Sequence, residues 1–241
     1  MTEQNARVAW ITGGSRGIGR ALVQRFRQEG FRVATCATTL AGARASEADL
    51  SFACDVTQED QIERGLSQIV EAFGRLDVLV NNAAIAGANS LSTEEGDELW
   101  YRIIDVNLHG TYRVTRHALA HLADDGCIIN VSSTLGLRGV PDQSAYCAAK
   151  HGVIGFTRAL ALQLAGRGVR VNAICPGWVR TDMAAMRANE LGATTEALAE
   201  GVPTGRLVEP DEVADLALYL ASSAGRSITG QALTIDGGSL A

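Results

Sequence analysis

Residues 7–19 read RVAWITGGSRGIG, a short apolar run that passes directly into a glycine-rich turn. The run Val8–Thr12 predicts a buried strand, and the apolar residues that recur at helical spacing up to Gly30 predict a helix after the turn. Glycines let a backbone approach an anion closely, and the unpaired N–H groups of a helix N-terminus point at it. The stretch therefore predicts a strand–turn–helix unit that binds a pyrophosphate. The alternative is that the glycine-rich turn only connects the strand to the helix and binds no ligand.

Six further apolar runs follow and mostly alternate with helical stretches. They lie at 32–37, 51–53, 78–80, 127–132, 170–175 and 232–235. Alternating strands and helices imply parallel βαβ units with right-handed crossovers. We therefore predict an α/β fold: a Rossmann-type, doubly wound, mostly parallel seven-stranded sheet flanked by helices. Ligands bind such a sheet at the carboxyl ends of its strands.

A second motif lies in residues 127–150, CIINVSSTLGLRGVPDQSAYCAAK. Tyr146 and Lys150 are one helical turn apart and share a helix face, while Ser133 follows an apolar run whose end can deliver it beside them. A nearby ammonium lowers the pKa of a phenol, and a general acid works best with a pKa near the working pH. We predict a proton-transfer site in which Lys150 lowers the pKa of Tyr146. An exposed pair without chemistry is the alternative for Tyr-x-x-x-Lys alone.

Taken together, these motifs resemble the short-chain dehydrogenase/reductase family over nearly the whole chain. Strings such as VPTGR at 202–206 and SITGQALTIDGG at 227–238 are most similar to its β-ketoacyl carrier-protein reductases and polyketide-type ketoreductases. The resemblance implies four catalytic residues: Asn107, Ser133, Tyr146 and Lys150. Ser132 is the rival for the serine role, but the family's spacing favours Ser133, and neighbours in a strand point to opposite faces.

The resemblance also implies a dinucleotide cofactor, held by the glycine loop and by the ends of several strands. The implied cofactor-binding residues are Gly13, Ser15, Arg16, Gly17, Ile18, Gly19, Thr38, Asp55, Val56, Asn81, Ala83, Pro176, Gly177, Val179 and Thr181. Ala37 stands where NAD enzymes of the family tend to carry aspartate, and Arg16 can meet a 2′-phosphate. The sequence favours NADP(H) over NAD(H), unless Arg16 is only a solvated loop residue. The segment 40–49 is short for the helix between strands two and three.

The implied reaction is NADPH-dependent reduction of a ketone, a 3-oxoacyl thioester or a related carbonyl compound, to a secondary alcohol. Hydride transfer is coupled to proton transfer, with Tyr146 as the general acid/base. Two alternatives remain: an NAD-dependent secondary alcohol dehydrogenase that works oxidatively, and a non-catalytic nucleotide-binding sensor, because a fold does not imply a function. A substrate lid is expected at about 178–205, where four apolar residues are either lid or ordinary core: Met183, Met186, Leu191 and Leu198.

The expected partner is a small-molecule carbonyl or alcohol substrate. Arg167 matches a position that docks an acyl carrier protein in related reductases, but Asp124 and Asp125 lie where that subgroup is often basic. Like charges disfavour an acidic partner. The sequence therefore argues against docking of an acyl carrier protein but does not exclude it. The resemblance also implies a homo-oligomer, either a tetramer or a dimer.

Composition is consistent with one catalytic domain, 1–241, because 241 residues can build a sizeable core and nothing resembles a linker. The net charge of -6 argues against a nucleic-acid surface.

Residues 1–10 resemble no signal peptide, and no apolar run reaches the roughly 18 residues of a membrane span. Five cysteines without C-x-x-C spacing predict reduced, mostly buried thiols in a cytoplasmic protein. His117 and His121 have i, i+4 spacing but lack a third ligand, so no metal site is expected.

Overall fold

The computed structural model describes residues 6–241. The expectation that residues 1–10 contain no signal peptide therefore falls partly outside the described residues. Seven strands form one sheet in the order β3-β2-β1-β4-β5-β6-β7, and every neighbouring pair is parallel. The strands are β1 Val8–Thr12, β2 Arg32–Ala37, β3 Leu50–Ala53, β4 Leu76–Asn81, β5 Leu122–Val131, β6 Arg170–Pro176 and β7 Ala232–Ile235. The predicted seven-stranded Rossmann-type sheet is confirmed, and its strands are parallel throughout.

Helices connect the strands and cover both faces of the sheet. They are α1 Gly17–Gln28, α2 Leu40–Arg44, α3 Glu59–Phe73, α4 Glu94–Ile104, α5 Gly110–Ala118, α6 Ser144–Leu164, α7 Asp182–Glu190, α8 Thr195–Glu200 and α9 Pro210–Ala221. A π-helical turn, Asp105–His109, joins α4 to α5. The connection from β2 to β3 holds only the five-residue helix α2, as the short segment 40–49 predicts.

The core consists of two layers because successive side chains of a strand point to opposite faces. Val8 and Trp10 of β1 pack on one face, with buried side chains of α3, α5 and α6. Ala9 and Ile11 pack on the other face, with α1 and α9. A strand buried on both faces reads as a continuous apolar run, which is why the sequence alone located β1 correctly.

The fifth strand begins five residues earlier than the apolar pattern predicts. Its first half contains Asp124 and Asp125, which are exposed, and the pairing with β4 shifts register between Leu76 and Val78. Asp125 has a positive φ of 59°. This polar, irregular half lacks the apolar signature of a buried strand, so only the regular half from Cys127 onward was predictable.

The chain reverses its order at β1, which has β2 on one side and β4 on the other. A crevice forms at such a switch point, outside the carboxyl ends of the strands. All five cysteines are free and buried. In the part of the chain that the structure describes, no helix is long and apolar enough to cross a membrane. Within residues 6–241, no group of three or more His, Cys, Asp or Glu side chains is placed to hold a metal ion.

Candidate active site

The glycine turn after β1 is folded tightly against β2 and the end of β4. The N–H groups of Gly13 and Gly14 both donate to the carbonyl oxygen of Cys36, at 2.9 and 3.2 Å. Gly13 has a φ of 70°, and a Cβ there would lie 2.8 Å from the Cα of Ala83. A Cβ on Gly19 would overlap the carbonyl oxygen of Gly13. Side chains are thus excluded at Gly13 and Gly19, because the turn brings other backbone atoms too close to these two residues.

Two side chains fasten this turn to β4. The Thr12 Oγ1 accepts the N–H groups of Asn82 and Ala83, at 3.0 and 3.1 Å. The Asn82 side chain in turn donates to the carbonyl oxygens of Thr12 and Gly13. Asn82 lines the crevice, although the sequence assigned the cofactor contact to its neighbour Asn81.

Asn81 instead faces into the protein. Its Nδ2 donates to Thr115 Oγ1 at 2.9 Å and to Asn130 Oδ1 at 2.8 Å, and the Asn130 side chain donates onward to Thr157. This buried chain of hydrogen bonds connects α5, β4, β5 and α6. The side chain of Asn81 therefore holds the elements of the site together and is not part of the cavity wall.

Ser133, Tyr146 and Lys150 converge at the end of β5. Ser133 caps the short 3-10 turn Thr134–Gly136, where its Oγ accepts the Leu135 N–H at 3.1 Å. The Ser133 hydroxyl lies close enough to the Tyr146 phenol to lower its pKa. Ser132 points away, because its buried hydroxyl donates to the Lys150 carbonyl oxygen at 3.0 Å. The geometry thus favours Ser133 over Ser132 for the serine role.

Burial dominates the acid–base properties of this group. Desolvation raises the pKa of Tyr146 to about 12, although the hydrogen bond from Ser133 opposes the shift. Desolvation also lowers the pKa of Lys150 to about 8. The Lys150 Nζ donates to the Val131 carbonyl oxygen at 2.8 Å and lies 5.5 Å from the centre of the Tyr146 ring. The expected lowering of the Tyr146 pKa by Lys150 is not seen in this structure: loss of water raises that pKa, and the opposing effect comes from Ser133.

Asn107 lies in the π-helical turn and is almost completely buried. Its side chain pairs with the backbone of Ile85 in both directions: Nδ2 donates to the carbonyl oxygen at 2.8 Å, and Oδ1 accepts the N–H at 2.9 Å. Asn107 therefore fixes the segment after β4 to the helix that faces it. Its side chain is not part of the cavity wall.

One cavity of about 780 Å³ runs along the carboxyl ends of the strands. The cofactor-binding residues expected from the sequence line it, except for Asn81, and so do Ser133, Tyr146 and Lys150. The glycines next to the N-terminus of α1 suit a pyrophosphate, and Ser133, Tyr146 and Lys150 line the same cavity. The residues present thus fit a dinucleotide.

The sequence did not single out several residues that line the substrate end of the cavity. They are Leu135, Arg138, Val140, Pro141, Asp142, Gln143 and Arg187. Most lie between Ser133 and Tyr146, so their position between two motif residues was the available signal. Arg187 was recognisable only from its place in the expected lid.

Comparisons with known proteins agree with this geometry. A family model described as Enoyl-(Acyl carrier protein) reductase matches residues 13–239. A Streptomyces coelicolor protein described as a ketoacyl reductase is 40% identical over 258 residues, which cover 99% of this chain and 98% of that protein. The 3-oxoacyl-[acyl-carrier-protein] reductase FabG of Vibrio harveyi is 40% identical over 240 residues, which cover 96% of each chain.

A solved structure is similar over the same extent. A single-residue variant of actinorhodin polyketide ketoreductase, crystallised with NADPH, is 38% identical and superposes with a TM-score of 0.93, covering 99% of each chain. Identity of this level over almost the full length, together with the glycine turn and the Ser133, Tyr146 and Lys150 group, establishes the family. The chain belongs to the short-chain dehydrogenase/reductase family of NAD(P)-dependent oxidoreductases.

Proposed function

We propose that the protein reduces the ketone of a 3-oxoacyl thioester or a related carbonyl compound to a secondary alcohol, with NADPH as the reductant. The observation that carries the proposal is that Ser133, Tyr146 and Lys150 line the same cavity as the glycine turn. The ketoacyl reductase and the polyketide ketoreductase that this chain resembles support the same reaction class. A panel of β-keto thioesters and cyclic ketones tests it through NADPH consumption.

The residues divide the work along the cavity. The pyrophosphate would be held by Gly13, Ser15, Gly17, Ile18 and Gly19. The ribose phosphate would be held by Arg16 and Thr38. The adenosine half would lie against Asp55, Val56, Ala83 and the backbone of Asn81. Pro176, Gly177, Val179 and Thr181 would enclose the nicotinamide, from which NADPH, when bound, supplies the hydride.

Side chains of the protein carry out the proton transfer. Tyr146 donates its phenolic proton to the carbonyl oxygen, which becomes the alcohol hydroxyl, and Ser133 donates a hydrogen bond that holds that oxygen in place. A phenol with a pKa near 12 stays protonated at neutral pH, so the reductive direction needs no prior protonation step. The Lys150 ammonium stabilises the phenolate left on Tyr146.

These charges predict a falling pH profile for ketone reduction. Lys150 is charged below its pKa of about 8, and Tyr146 remains protonated up to about pH 12. The rate should therefore be constant below pH 8 and fall as the pH rises through that value. Lys150→Arg should move the fall to higher pH, because a guanidinium keeps its charge. A Lys150→Arg profile that falls at the wild-type pH would contradict this role.

Arg16 supports NADPH as the cofactor. Its side chain is 71% exposed and lies 3.8 Å from Asp182, an exposed ion pair that contributes little and leaves the guanidinium able to bind a phosphate. The cavity wall has Ala37 and Thr38 at the end of β2, with no carboxylate there to repel a 2′-phosphate.

Arg16→Ala should raise the KM for NADPH about tenfold, because a charge-assisted hydrogen bond to phosphate is lost. The KM for NADH should stay within twofold of wild type. Arg20→Ala is the matched control, since Arg20 is exposed one turn further along α1 and does not line the cavity. A wild-type protein with a lower KM for NADH than for NADPH would overturn the cofactor proposal.

The contacts of Arg167 do not support docking of an acyl carrier protein. Its Nε pairs with Asp124 at 2.9 Å, and its other nitrogens donate to the carbonyl oxygens of Leu119 and Leu122. The guanidinium is therefore engaged within its own chain. We propose that the substrate is a free ketone or a coenzyme A thioester, and carrier-bound substrates belong in the same panel as a comparison.

The segment 178–205 is proposed as the lid. Met183, Leu191 and Trp178 line the cavity, and both Met183 and Leu191 are exposed rather than part of the core. Met186 is exposed and does not line the cavity. A homo-oligomer and a cytoplasmic location are also proposed; exposed apolar side chains on α4, α5 and α6, such as Tyr101, Tyr112 and Leu162, suit a subunit interface, which sedimentation measures.

A further inference from the structure

Helix α7 faces the catalytic group across the substrate end of the cavity. Its residues Met183, Ala184 and Arg187 line one wall, and the loop 135–143 before α6 lines the other. A single ion pair joins the two walls: Arg187 Nη2 lies 2.5 Å from Asp142 Oδ2. The pair therefore lies beside the space proposed for the ketone.

Arg187 is unusually enclosed for an ion-paired arginine. Its side chain is 13% exposed, whereas the other ion-paired arginines of residues 6–241 are 22% or more exposed. Its Nη1 also pairs with Glu190 at 2.8 Å, one turn further along α7. That second contact aligns the guanidinium on the helix without linking it to the opposite wall. Burial of the Arg187 end reduces solvent screening of this contact, while the Asp142 side chain is 45% exposed.

Asp142 is itself fixed relative to the catalytic helix. Its carbonyl oxygen accepts the Asn89 N–H at 2.9 Å. The buried Asn89 side chain accepts the Ala145 N–H at 3.1 Å and contacts the Ser144 hydroxyl at 2.9 Å. Ala145 and Ser144 form the first turn of α6, directly before Tyr146. The ion pair thus connects α7 to a frame that is rigid with respect to the proton donor.

We propose that Arg187 and Asp142 form a clasp that holds α7 over the bound ketone and thereby selects compact substrates. The proposal rests on the proposed ketone reduction. With the clasp closed, the apolar side chains Met183 and Leu191 are held over the substrate, so a small ketone gains their contact. A bulky bicyclic ketone fills the same space only by opening the clasp. Arg187 and Asp142 are positioning and specificity residues, since neither one donates a proton to the substrate.

Hydrogen exchange of the cofactor-free protein tests the clasp without any turnover. Asp142→Asn removes the charge with little change in shape, and exchange at the α7 amides should become about five- to tenfold faster as the ion pair is lost. Arg187→Gln should give at least the same increase, because it also removes the Glu190 pair, and the double variant should not exceed Arg187→Gln, because the Asp142 contact is already lost there. Glu190→Gln is the matched control and should leave exchange within twofold of wild type.

Kinetics supply the second readout. In Asp142→Asn, the KM for a short acyclic β-keto ester should rise about five- to tenfold while kcat changes less than twofold, since Tyr146 and Ser133 are untouched. The KM for a bicyclic ketone should stay within twofold, so the preference for the compact ketone falls. The clasp proposal would be overturned if both single variants kept the wild-type hydrogen exchange of α7 and the wild-type ratio of the KM values for the two ketones. If wild type reduces no carbonyl, the proposed function fails, and the exchange data alone then decide whether α7 is clasped.

Discussion

Replacing Tyr146 by phenylalanine is expected to lower ketone reduction by a factor of about 10² to 10⁴, the usual contribution of a positioned general acid. The phenylalanine ring keeps the volume of the buried tyrosine, so the cavity retains its shape. The affinity for NADPH, measured by fluorescence titration, should stay within about threefold of wild type, because the glycine turn that would hold the pyrophosphate is unchanged. The Tyr146→Phe variant should thus lose ketone reduction while it keeps NADPH binding.

Tyr219→Phe is the matched control for this experiment. Tyr219 lies on α9, is 45% exposed and does not line the cavity, so its variant should reduce ketones at the wild-type rate. If Tyr146→Phe retains more than a tenth of wild-type activity, another group donates the proton. The assignment of the acid would then be wrong, even with the family membership intact.

Gly19→Ala is expected to weaken NADPH binding by at least about 100-fold, or about 3 kcal/mol. The added Cβ would overlap the Gly13 carbonyl oxygen and lie 2.6 Å from the Asn82 Nδ2. Backbone must move to admit it, and the displaced atoms form the glycine turn itself. Overpacking of this kind should also lower the thermal midpoint, by about 2 to 10 °C. Isothermal titration with NADPH and a thermal melt measure the two effects.

Gly166→Ala provides the control, because a Cβ at that exposed position meets no atom within 4 Å. Its affinity for NADPH should stay within twofold of wild type. Tight NADPH binding by Gly19→Ala would show that the cofactor does not use the glycine turn.

The fold was predictable wherever a local pattern matches the buried structure. β1, β2 and β7 have the predicted bounds because apolar runs between turns are what a parallel sheet requires. The polar start of β5 at Leu122 was missed, since its pairing with β4 depends on a long-range register shift that no local pattern encodes.

The site was predictable in its residue types and less so in its electrostatics. Ser133, Tyr146 and Lys150 line one cavity, and their spacing predicted that they would lie together. The sign of the Tyr146 pKa shift depends on burial, which the sequence does not reveal. The Arg187 and Asp142 contact joins residues 45 positions apart. Such a pair becomes visible only once the lid helix has a place in the fold.

In the proposed reaction, hydride passes from NADPH to a ketone in this cavity while Tyr146 supplies the proton. The most direct test uses NADPH carrying deuterium at C4 of the nicotinamide, with mass spectrometry of the product from a β-keto thioester or a cyclic ketone. Wild type should yield a secondary alcohol with one deuterium on the former carbonyl carbon, and Tyr146→Phe should yield about 10² to 10⁴ times less. A protein that binds NADPH tightly yet forms no labelled alcohol from any carbonyl in the panel would contradict the claim.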